Sequence, residues 1–493
     1  MKSQSLISSL NPANEPDSLD SFERAEIDAS TKLPVLLFFG SAIFWLLVGS
    51  VLGLVSAWKM THPGLLDGEA WLTFGRLRPA HLNTVIYGWA SAAGIGVGIW
   101  LTARLCRVVL MHSKLLIAAA IFWNLGVFVG ILGILAGDSR SIEWLEFPGY
   151  ATPILFVSYA FIGIWTIIMF RYRRPGHVYV SQWYLFAAFL WFPWLYATAN
   201  ILLTWQPIQG SAQAAVNWWF AHNVLGLWFA PIGLASAYYM IPNVIGRPVH
   251  SYYLSILGFW SLALFYSWNG MHHLIGGPFP AWMVSASVVA SIMMFIPVVT
   301  VAINHHMTMR VHFGALKWSP TLRFTVFGAM TYTLVSLQGS SMAIPSWNTF
   351  IHFTDHTIGH AHLGLYGFFT MIMFGAIYYI VPRLVGWEWP SANMIRWHFW
   401  LSAVGISIMV IALTIGGILQ GFAFYDPTVS FRSSLDYATP FRIVRGLSGF
   451  LLLGGHIVFA VLFTQMVLRI GQIKEGPALF AKPSESQKEG VAV

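Results

Sequence analysis

Six histidines in this sequence combine residue type and spacing in a way that indicates metal chemistry. Each lies near the end of a long apolar segment, where an ionisable side chain is expensive to bury and usually functional. Two of them are adjacent, and two others are separated by a single alanine. Neutral imidazole is a good ligand for haem iron and for copper. The six are His81, His222, His272, His273, His360 and His362.

The elements that carry these histidines are predicted to be transmembrane helices. The 493-residue chain is 57% hydrophobic and 9% charged, and its mean hydropathy is +0.66. Runs of about 20 apolar residues, the length needed to cross a bilayer, recur from end to end. We predict an all-α polytopic membrane protein of about twelve helices. Their ranges are 34–58, 82–104, 115–136, 150–171, 180–204, 214–242, 251–275, 282–304, 321–342, 357–382, 395–420 and 443–470.

The charge distribution predicts the orientation and the domain boundaries. The formal net charge of +8 comes from basic residues in short loops, so we expect no nucleic-acid site. The excess of lysine and arginine on one side places both termini in the cytoplasm. We expect a cytoplasmic tail over 1–33, a twelve-helix catalytic domain over 34–470 and a second cytoplasmic tail over 471–493. A single cysteine, Cys106, cannot build an iron–sulfur cluster or a covalent c-type haem.

All six histidines are predicted to lie at one depth in the membrane. Those of spans two, six and ten fall near helix starts at the outer face. The adjacent pair falls near the end of span seven, which runs outward to the same face. A layer of imidazoles in an apolar environment indicates bound metal.

The spacing of the histidines separates the metal sites. His360 and His362 are about 200° apart around a helix, so each can hold a different haem iron. His81 is a plausible second axial ligand for one haem, which leaves the other haem with an open face. The three nitrogens of His222, His272 and His273 suit a copper ion with a free position.

Tyr266 adds a possible redox group. It lies seven residues before His273, which is two turns of a continuous helix and places both on one face. A phenol beneath the copper could supply an electron and a proton. The alternative is an ordinary packed ring.

Three arginines on the predicted outer side are exceptions to the positive-inside rule, so we expect them to have anionic partners. Arg78 precedes span two, and Arg442 and Arg445 open span twelve. Haem propionates are suitable partners because guanidinium groups bind carboxylates bidentately, while snorkelling to the interface is the alternative. Asp355 could bind a propionate directly or through a cation such as Ca²⁺; a plain helix-N-terminal acid is equally compatible.

At these residues the chain resembles subunit I of the haem–copper oxidases, specifically the cbb3-type (C-family) cytochrome c oxidase. The matching segments are "FGRLRPAHLNTVIYGW", "VNWWFAHNVLG", "FYSWNGMHHL" and "HFTDHTIGHAHLGLYGF". The resemblance implies two haems b: His81 and His362 on the low-spin haem, and His360 on the high-spin haem. It also implies copper on the three remaining histidines, and a covalent link between Tyr266 and His222.

The resemblance also implies a function for this chain. It implies reduction of dioxygen to water, with protons from the inner face and proton pumping, in a bacterial inner membrane. Electrons would come from membrane-anchored mono-haem and di-haem cytochrome c subunits. The expected proton path contains Tyr239, Ser255, Tyr332 and Thr333.

One position departs from the family pattern. Relatives carry a glutamate 22 residues before the proximal histidine, whereas this chain has Gln338. The amide keeps a hydrogen bond but removes a charge, so the potential of the high-spin haem could differ.

Three other functions fit the sequence less well. A nitric oxide reductase would use the same histidines with iron in place of copper, but it would carry a carboxylate near the metal, and spans six and seven have none. A transporter without metals would need paired broken helices. A b-type cytochrome that only carries electrons would leave the adjacent histidines without a purpose.

Overall fold

The computed structural model describes residues 21–470, and within them the chain is helical with no strand. We number twelve long helices in chain order. They are α1 (Ser21–Lys59), α2 (Phe74–Cys106), α3 (Ser113–Ala136), α4 (Thr152–Arg171), α5 (Val180–Trp205), α6 (Ser211–Ile245), α7 (Tyr252–Tyr266), α8 (Ala281–Met309), α9 (Pro320–Met342), α10 (Asp355–Val385), α11 (Ala392–Tyr425) and α12 (Phe431–Val467). A short helix, Pro345–Ile351, joins α9 to α10.

Ten of these helices, within the described residues, are long and apolar enough to cross a membrane. The exceptions are α7 and α9. Helix α7 has only 15 residues, whereas α9 has 23 residues but is less apolar than the ten membrane-spanning candidates. The cores of α2, α6 and α10 are 94% buried inside the protein, whereas most other spans are about half buried. The three most enclosed helices therefore carry four of the six histidines.

The first helix begins thirteen residues before the predicted start, at Ser21. Charged residues at its start hid it from a search for apolar runs. Asp28 is buried and accepts a hydrogen bond from the Trp100 indole at 2.9 Å, with the Arg104 guanidinium 3.7 Å away. The predicted tail 1–33 therefore belongs to α1 from Ser21 onward. Residues 1–20 and the predicted tail 471–493 lie outside the described residues.

Helix α7 ends at Tyr266, earlier than the predicted 275, and the adjacent histidines lie on a separate 3₁₀ turn, Asn269–Leu274. The Ser287 hydroxyl of α8 fastens this turn by donating to the Asn269 carbonyl at 2.5 Å and accepting from the His272 amide at 2.9 Å. The prediction that Tyr266 and His273 share a face of one helix was wrong. Tyr266 instead stacks on His222, whose ring centroid is 5.2 Å from that of His273.

A widened, π-helical turn directly follows the histidines of three helices. It spans Thr84–Ser91 in α2, Leu225–Phe229 in α6 and Leu363–Thr370 in α10. Such turns add one residue to the helical period and occur frequently at functional sites. They rotate the outer end of each helix relative to its inner part, which no apolar periodicity in the sequence reveals.

Candidate metal centres

Three histidines from α6 and the 3₁₀ turn form one cluster. One ligand nitrogen from each of His222, His272 and His273 lies within 4.8 Å of the others. The structure therefore brings together the three residues predicted to hold copper. Among the described residues this is the only group of three or more histidine, cysteine or carboxylate side chains with such geometry, and it contains no carboxylate.

One of these rings is oriented by a hydrogen bond, and ligand nitrogens of the other two lie close together. The Nδ1 atom of His272 lies 2.7 Å from the Ser291 hydroxyl of α8, so its Nε2 is the atom left for a metal. The Nδ1 atom of His222 lies 3.1 Å from Nε2 of His273, so these two nitrogens point at a common centre. Three neutral nitrogen donors around one point fit a copper ion with an open coordination position.

Tyr266 stacks on the imidazole of His222. Their ring centroids are 4.5 Å apart and the planes differ by 17°. Helix α6 permits this approach because residue 226 is glycine, and a Cβ atom there would overlap the tyrosine ring. The buried Nε2 of His222 has no hydrogen-bond partner in the described part of the chain. The phenol ring of Tyr266 and the imidazole ring of His222 are thus in direct stacking contact.

A second centre is a cavity between α1, α2, α10 and α12, with His81 and His362 in its walls. The Nδ1 atom of His81 lies 2.7 Å from the Gly49 carbonyl oxygen, and that of His362 lies 2.8 Å from the Ile358 carbonyl oxygen. Each ring therefore keeps Nε2 for a metal. Apart from its polar ends the lining is mostly apolar. These features fit a haem with two axial histidines.

His360 belongs to a different centre from His362. Its Nδ1 lies 3.3 Å from Oε1 of Gln338 on α9, and its ring is close enough to interact electrostatically with His222 and His272. The Gln338 amide nitrogen lies 3.3 Å from Nε2 of His356. The predicted separation of the two α10 histidines matches this arrangement, which suits a haem facing the three-histidine cluster.

Comparison with known proteins agrees with this geometry. Residues 34–451 match the family model described as Cytochrome C and Quinol oxidase polypeptide I. The chain belongs to this family. It is 32% identical to the cbb3-type cytochrome c oxidase subunit CcoN1 of Stutzerimonas stutzeri over 85% of this chain and 91% of that protein. It is 31% identical to a cytochrome c oxidase subunit 1 homolog of Agrobacterium tumefaciens over 90% and 85%.

A solved structure supports the fold. A chain of a haem–copper terminal oxidase dimer covers 94% of this chain, with 87% of its own length matched, a TM-score of 0.67 and 14% identity. The protein is accordingly a haem–copper oxidase subunit I of the cytochrome c oxidase type, a multi-pass bacterial membrane protein. Haem and copper are the cofactors of this family.

The predicted propionate partners of the oxidase differ in their surroundings. Arg445 is nearly buried and lines the cavity that holds His81 and His362. Arg442 instead binds the buried Asp355 carboxylate through two nitrogens, at 2.7 and 3.2 Å. Of the predicted set, only Arg445 faces the cavity directly. The expectation that Asp355 binds a propionate or Ca²⁺ stays a prediction.

Arg78 contacts two glutamates that the sequence did not single out. Its guanidinium lies 2.6 Å from Glu143 and 3.8 Å from Glu146, both in the loop between α3 and α4. Glu146 is buried and accepts a hydrogen bond from Asn83 at 2.9 Å. Burial raises the pKa of this carboxyl group to about 7. Arg78 thus already has anionic partners within the chain.

The predicted proton-path residues of the oxidase fall in two places. Ser255 and Tyr332 are buried, on α7 and α9. Tyr239 instead packs against Trp100 and Tyr379, with ring centroids 5.6 and 6.4 Å away. Thr333 is half-buried and bonds weakly to its own helix.

The neighbouring tyrosine, Tyr238, lies near Tyr332. The two are close enough to interact electrostatically, as are Tyr332 and Tyr266. Asn304 donates to the Tyr238 hydroxyl at 3.4 Å. Consecutive residues of a helix point about 100° apart, so choosing between residues 238 and 239 required the rotation of α6, which the sequence alone does not define.

Proposed function

We propose that this chain is the catalytic subunit of a cbb3-type terminal oxidase, which reduces dioxygen to water with electrons from cytochrome c. The observation that carries the proposal is the three-histidine cluster, free of carboxylates, with Tyr266 stacked on His222 and with His360 nearby. A nitric oxide reductase with iron at this position would need a carboxylate, and the cluster offers only nitrogen.

Two haems b and one copper ion fit the residues present. His81 and His362 would hold the low-spin haem, His360 the high-spin haem, and His222, His272 and His273 the copper. When bound, these groups carry electrons to dioxygen and provide the place where it is reduced. Arg445 would neutralise a propionate at the outer end of the low-spin cavity.

The chain's own side chains would provide protons and geometry. The Tyr266 hydroxyl would give a proton to the substrate, and the stacking of its ring on His222 supports the expected covalent link between the two residues. Gln338 would hold the His360 ring through Nδ1. Ser291 would do the same for His272.

Protons would reach Tyr266 from the inner face through Ser255 and Tyr332. Tyr238, held by Asn304, would join this route in place of Tyr239, because it lies within electrostatic range of Tyr332. We expect Tyr332→Phe and Ser255→Ala to slow turnover and proton uptake. Tyr239→Phe is the matched control and should leave both near the unaltered values. Equal effects of all three substitutions would contradict this route.

The assembly and orientation are part of the same proposal. Both termini would face the cytoplasm, and membrane-anchored mono-haem and di-haem cytochrome c subunits would deliver electrons from the outer side. Proton pumping would accompany oxygen reduction.

Oxygen and nitric oxide consumption by the purified complex test the function. We expect rapid oxygen consumption with reduced cytochrome c, and its loss in Tyr266→Phe while both haem spectra remain. Tyr253→Phe, an exposed tyrosine at the start of α7, is the control. Nitric oxide reduction without oxygen consumption would contradict the proposal.

A further inference from the structure

Two further histidines lie deep in the helical bundle and are not among the six proposed metal ligands. His398 on α11 is fully buried, and His456 on α12 is 3% exposed. His398 lies in the second turn of α11 and His456 in the second half of α12, and an ionisable side chain buried in an apolar helix is costly and usually functional. Their positions relative to one cavity suggest what they do.

His456 connects that cavity to two hydroxyl groups. Its Nδ1 lies 2.7 Å from the Ser50 hydroxyl of α1, and its Nε2 lies 2.7 Å from the Tyr366 hydroxyl of α10. All three side chains line the cavity shared by His81 and His362. Both imidazole nitrogens thus have a hydroxyl partner, an arrangement through which a ring can accept a proton on one side and release one on the other.

The hydroxyl of Tyr366 leads away from the cavity. It interacts with Ser402 of α11, a fully buried residue that has no hydrogen bond of standard geometry in the described part of the chain. His398 lies one helical turn from Ser402 on the same helix, so the two side chains share a face. A tyrosine, a serine and a second histidine therefore follow one another.

His398 continues the chain towards the other end of α10. Its Nδ1 lies 2.8 Å from the Tyr378 hydroxyl, whereas its buried Nε2 has no partner among the described residues. An unpartnered buried nitrogen is costly, and a single water molecule between this nitrogen and Ser402 would remove the cost. Phe459 stacks on the His398 ring at 4.8 Å and keeps the surroundings apolar.

The polar chain spans a large part of the membrane. Twelve residues of α10 separate Tyr366 from Tyr378, which is about 18 Å of helix. The Tyr378 carbonyl accepts a hydrogen bond from the indole of Trp389 at 3.0 Å, and Trp389 lies in the loop between α10 and α11. In the proposed orientation this loop is at the inner face. The chain is built on α10, α11 and α12, away from the Ser255 and Tyr332 route on α7 and α9.

We propose that Tyr378, His398, Ser402, Tyr366 and His456 form a proton path from the inner part of α10 to the low-spin haem cavity. The inference rests on the proposed function, because it requires a haem between His81 and His362. With a haem held in this cavity and reduced by one electron from the cytochrome c donor, His456 would take up one proton from the inner aqueous phase. The step consists only of this electron transfer and this proton transfer, so it needs no further oxidant or reductant.

The groups that face His456 come from every neighbouring helix. They are Ser50 on α1, Tyr366 on α10 and His398 on α11, and Arg445 lies in the same cavity towards its outer end. Among these described neighbours the only fixed charge is a cation. An electron added to the cavity would therefore favour protonation of a neutral base in its wall, and His456 is such a base.

The role of His456 as proton acceptor is tested by measuring the midpoint potential of the low-spin haem as a function of pH in the purified oxidase complex. We expect the potential to fall with rising pH in the unaltered protein and to become independent of pH in His456→Gln. Glutamine keeps a hydrogen bond but cannot take up a proton at neutral pH, so a merely structural role would leave the pH dependence intact. That result would overturn the proposal.

Proton uptake after rapid electron injection, followed with a pH indicator dye, tests the path. We expect His398→Gln and Tyr378→Phe to slow the uptake linked to the low-spin haem at least tenfold, while the equilibrium pH dependence remains. Either variant suffices if the other fails to assemble. Ser255→Ala is the control and should slow oxygen turnover with its proton uptake, but leave the uptake linked to the low-spin haem at the unaltered rate. Uptake at the unaltered rate in both path variants would contradict the path.

The two proposals fail differently. Absence of any bis-histidine haem band in the unaltered complex would contradict both the proposed function and the path that depends on it. A normal band with a potential that does not respond to pH would contradict the path alone.

Discussion

The low-spin side and the oxygen side of the molecule orient their histidines by different means. On the low-spin side, Nδ1 of His81 and of His362 lies against backbone carbonyl oxygens, at 2.7 and 2.8 Å. On the oxygen side, Nδ1 of His272 and of His360 lies against the side chains of Ser291 and Gln338, at 2.7 and 3.3 Å. The proposed metal ligands are histidines on both sides, but the groups that accept a hydrogen bond from Nδ1 differ.

This difference indicates where the chemistry can be tuned. A backbone carbonyl is present whatever the side chain, so the low-spin pair is fixed by helix packing and its properties vary little. A side-chain acceptor can be replaced by a single substitution, and partners behind a metal ligand alter both affinity and potential. We therefore expect packing variants to damage the low-spin side, and hydrogen-bonding variants to affect the oxygen side.

Gly53→Ala should have the largest effect and should be confined to the low-spin side. A Cβ atom at this position of α1 would come within 2.5 Å of the His81 ring, so the ring must leave its place. We expect the bis-histidine haem spectrum to be lost or strongly altered. Gly40→Ala on the same helix is the matched control, because its Cβ would approach no atom closer than 3.9 Å. An unaltered spectrum in Gly53→Ala would contradict the assignment of His81.

Ser291→Ala should lower the copper affinity roughly 10–100-fold, the usual cost of losing a partner behind a metal ligand. The His272 ring would lose the acceptor that orients it, whereas both haems should stay bound. Copper retention during dialysis against a chelator measures this effect. Ser261→Ala is the control, since that hydroxyl bonds only to its own helix. Equal copper loss in both variants would count against a specific role of Ser291.

Gln338→Glu should lower the potential of the high-spin haem and leave the low-spin haem unchanged. A charged acceptor strengthens the hydrogen bond from His360 by about 1 kcal/mol, which corresponds to about 40 mV for one electron. Redox titration of the two haems in one sample supplies its own control. A shift of equal size in both haems would contradict a local effect.

Glu146→Gln should have the smallest effect, and the effect should depend on pH. Burial raises the pKa of Glu146 to about 7, above its ordinary value of about 4.5. The folded protein thus binds a proton more tightly than the unfolded chain does, and this contribution to stability is lost as pH rises towards 7. We expect the stability of the unaltered protein to fall relative to that of the variant between about pH 5 and 8. Parallel pH profiles of thermal unfolding would contradict this.

Features set by composition and depth could be predicted from the sequence. The helical membrane class follows from hydropathy alone, and the shared depth of His81, His222 and His362 follows from counting residues along apolar runs. Opposite faces for His360 and His362 follow from the helical period. These inferences need no knowledge of how one helix is rotated against another.

Features set by local geometry could not be predicted in this way. The sequence does not reveal the π-helical turns or the early end of α7. Nor does it show that Tyr238 lies near Tyr332 while Tyr239 packs against Trp100 and Tyr379, or that Tyr266 stacks on His222. His398 and His456 were missed because they lie singly on their helices. Only the packing of α10, α11 and α12 shows that they belong together.

The ratio of copper to haem iron in this subunit, purified and separated from cytochrome c partners, tests the central claim most directly. The account predicts one copper for two b-type haems, with the copper lost in His272→Ala while both haems remain. Non-haem iron in place of copper, or copper that survives this substitution, would contradict the assignment of the three-histidine cluster.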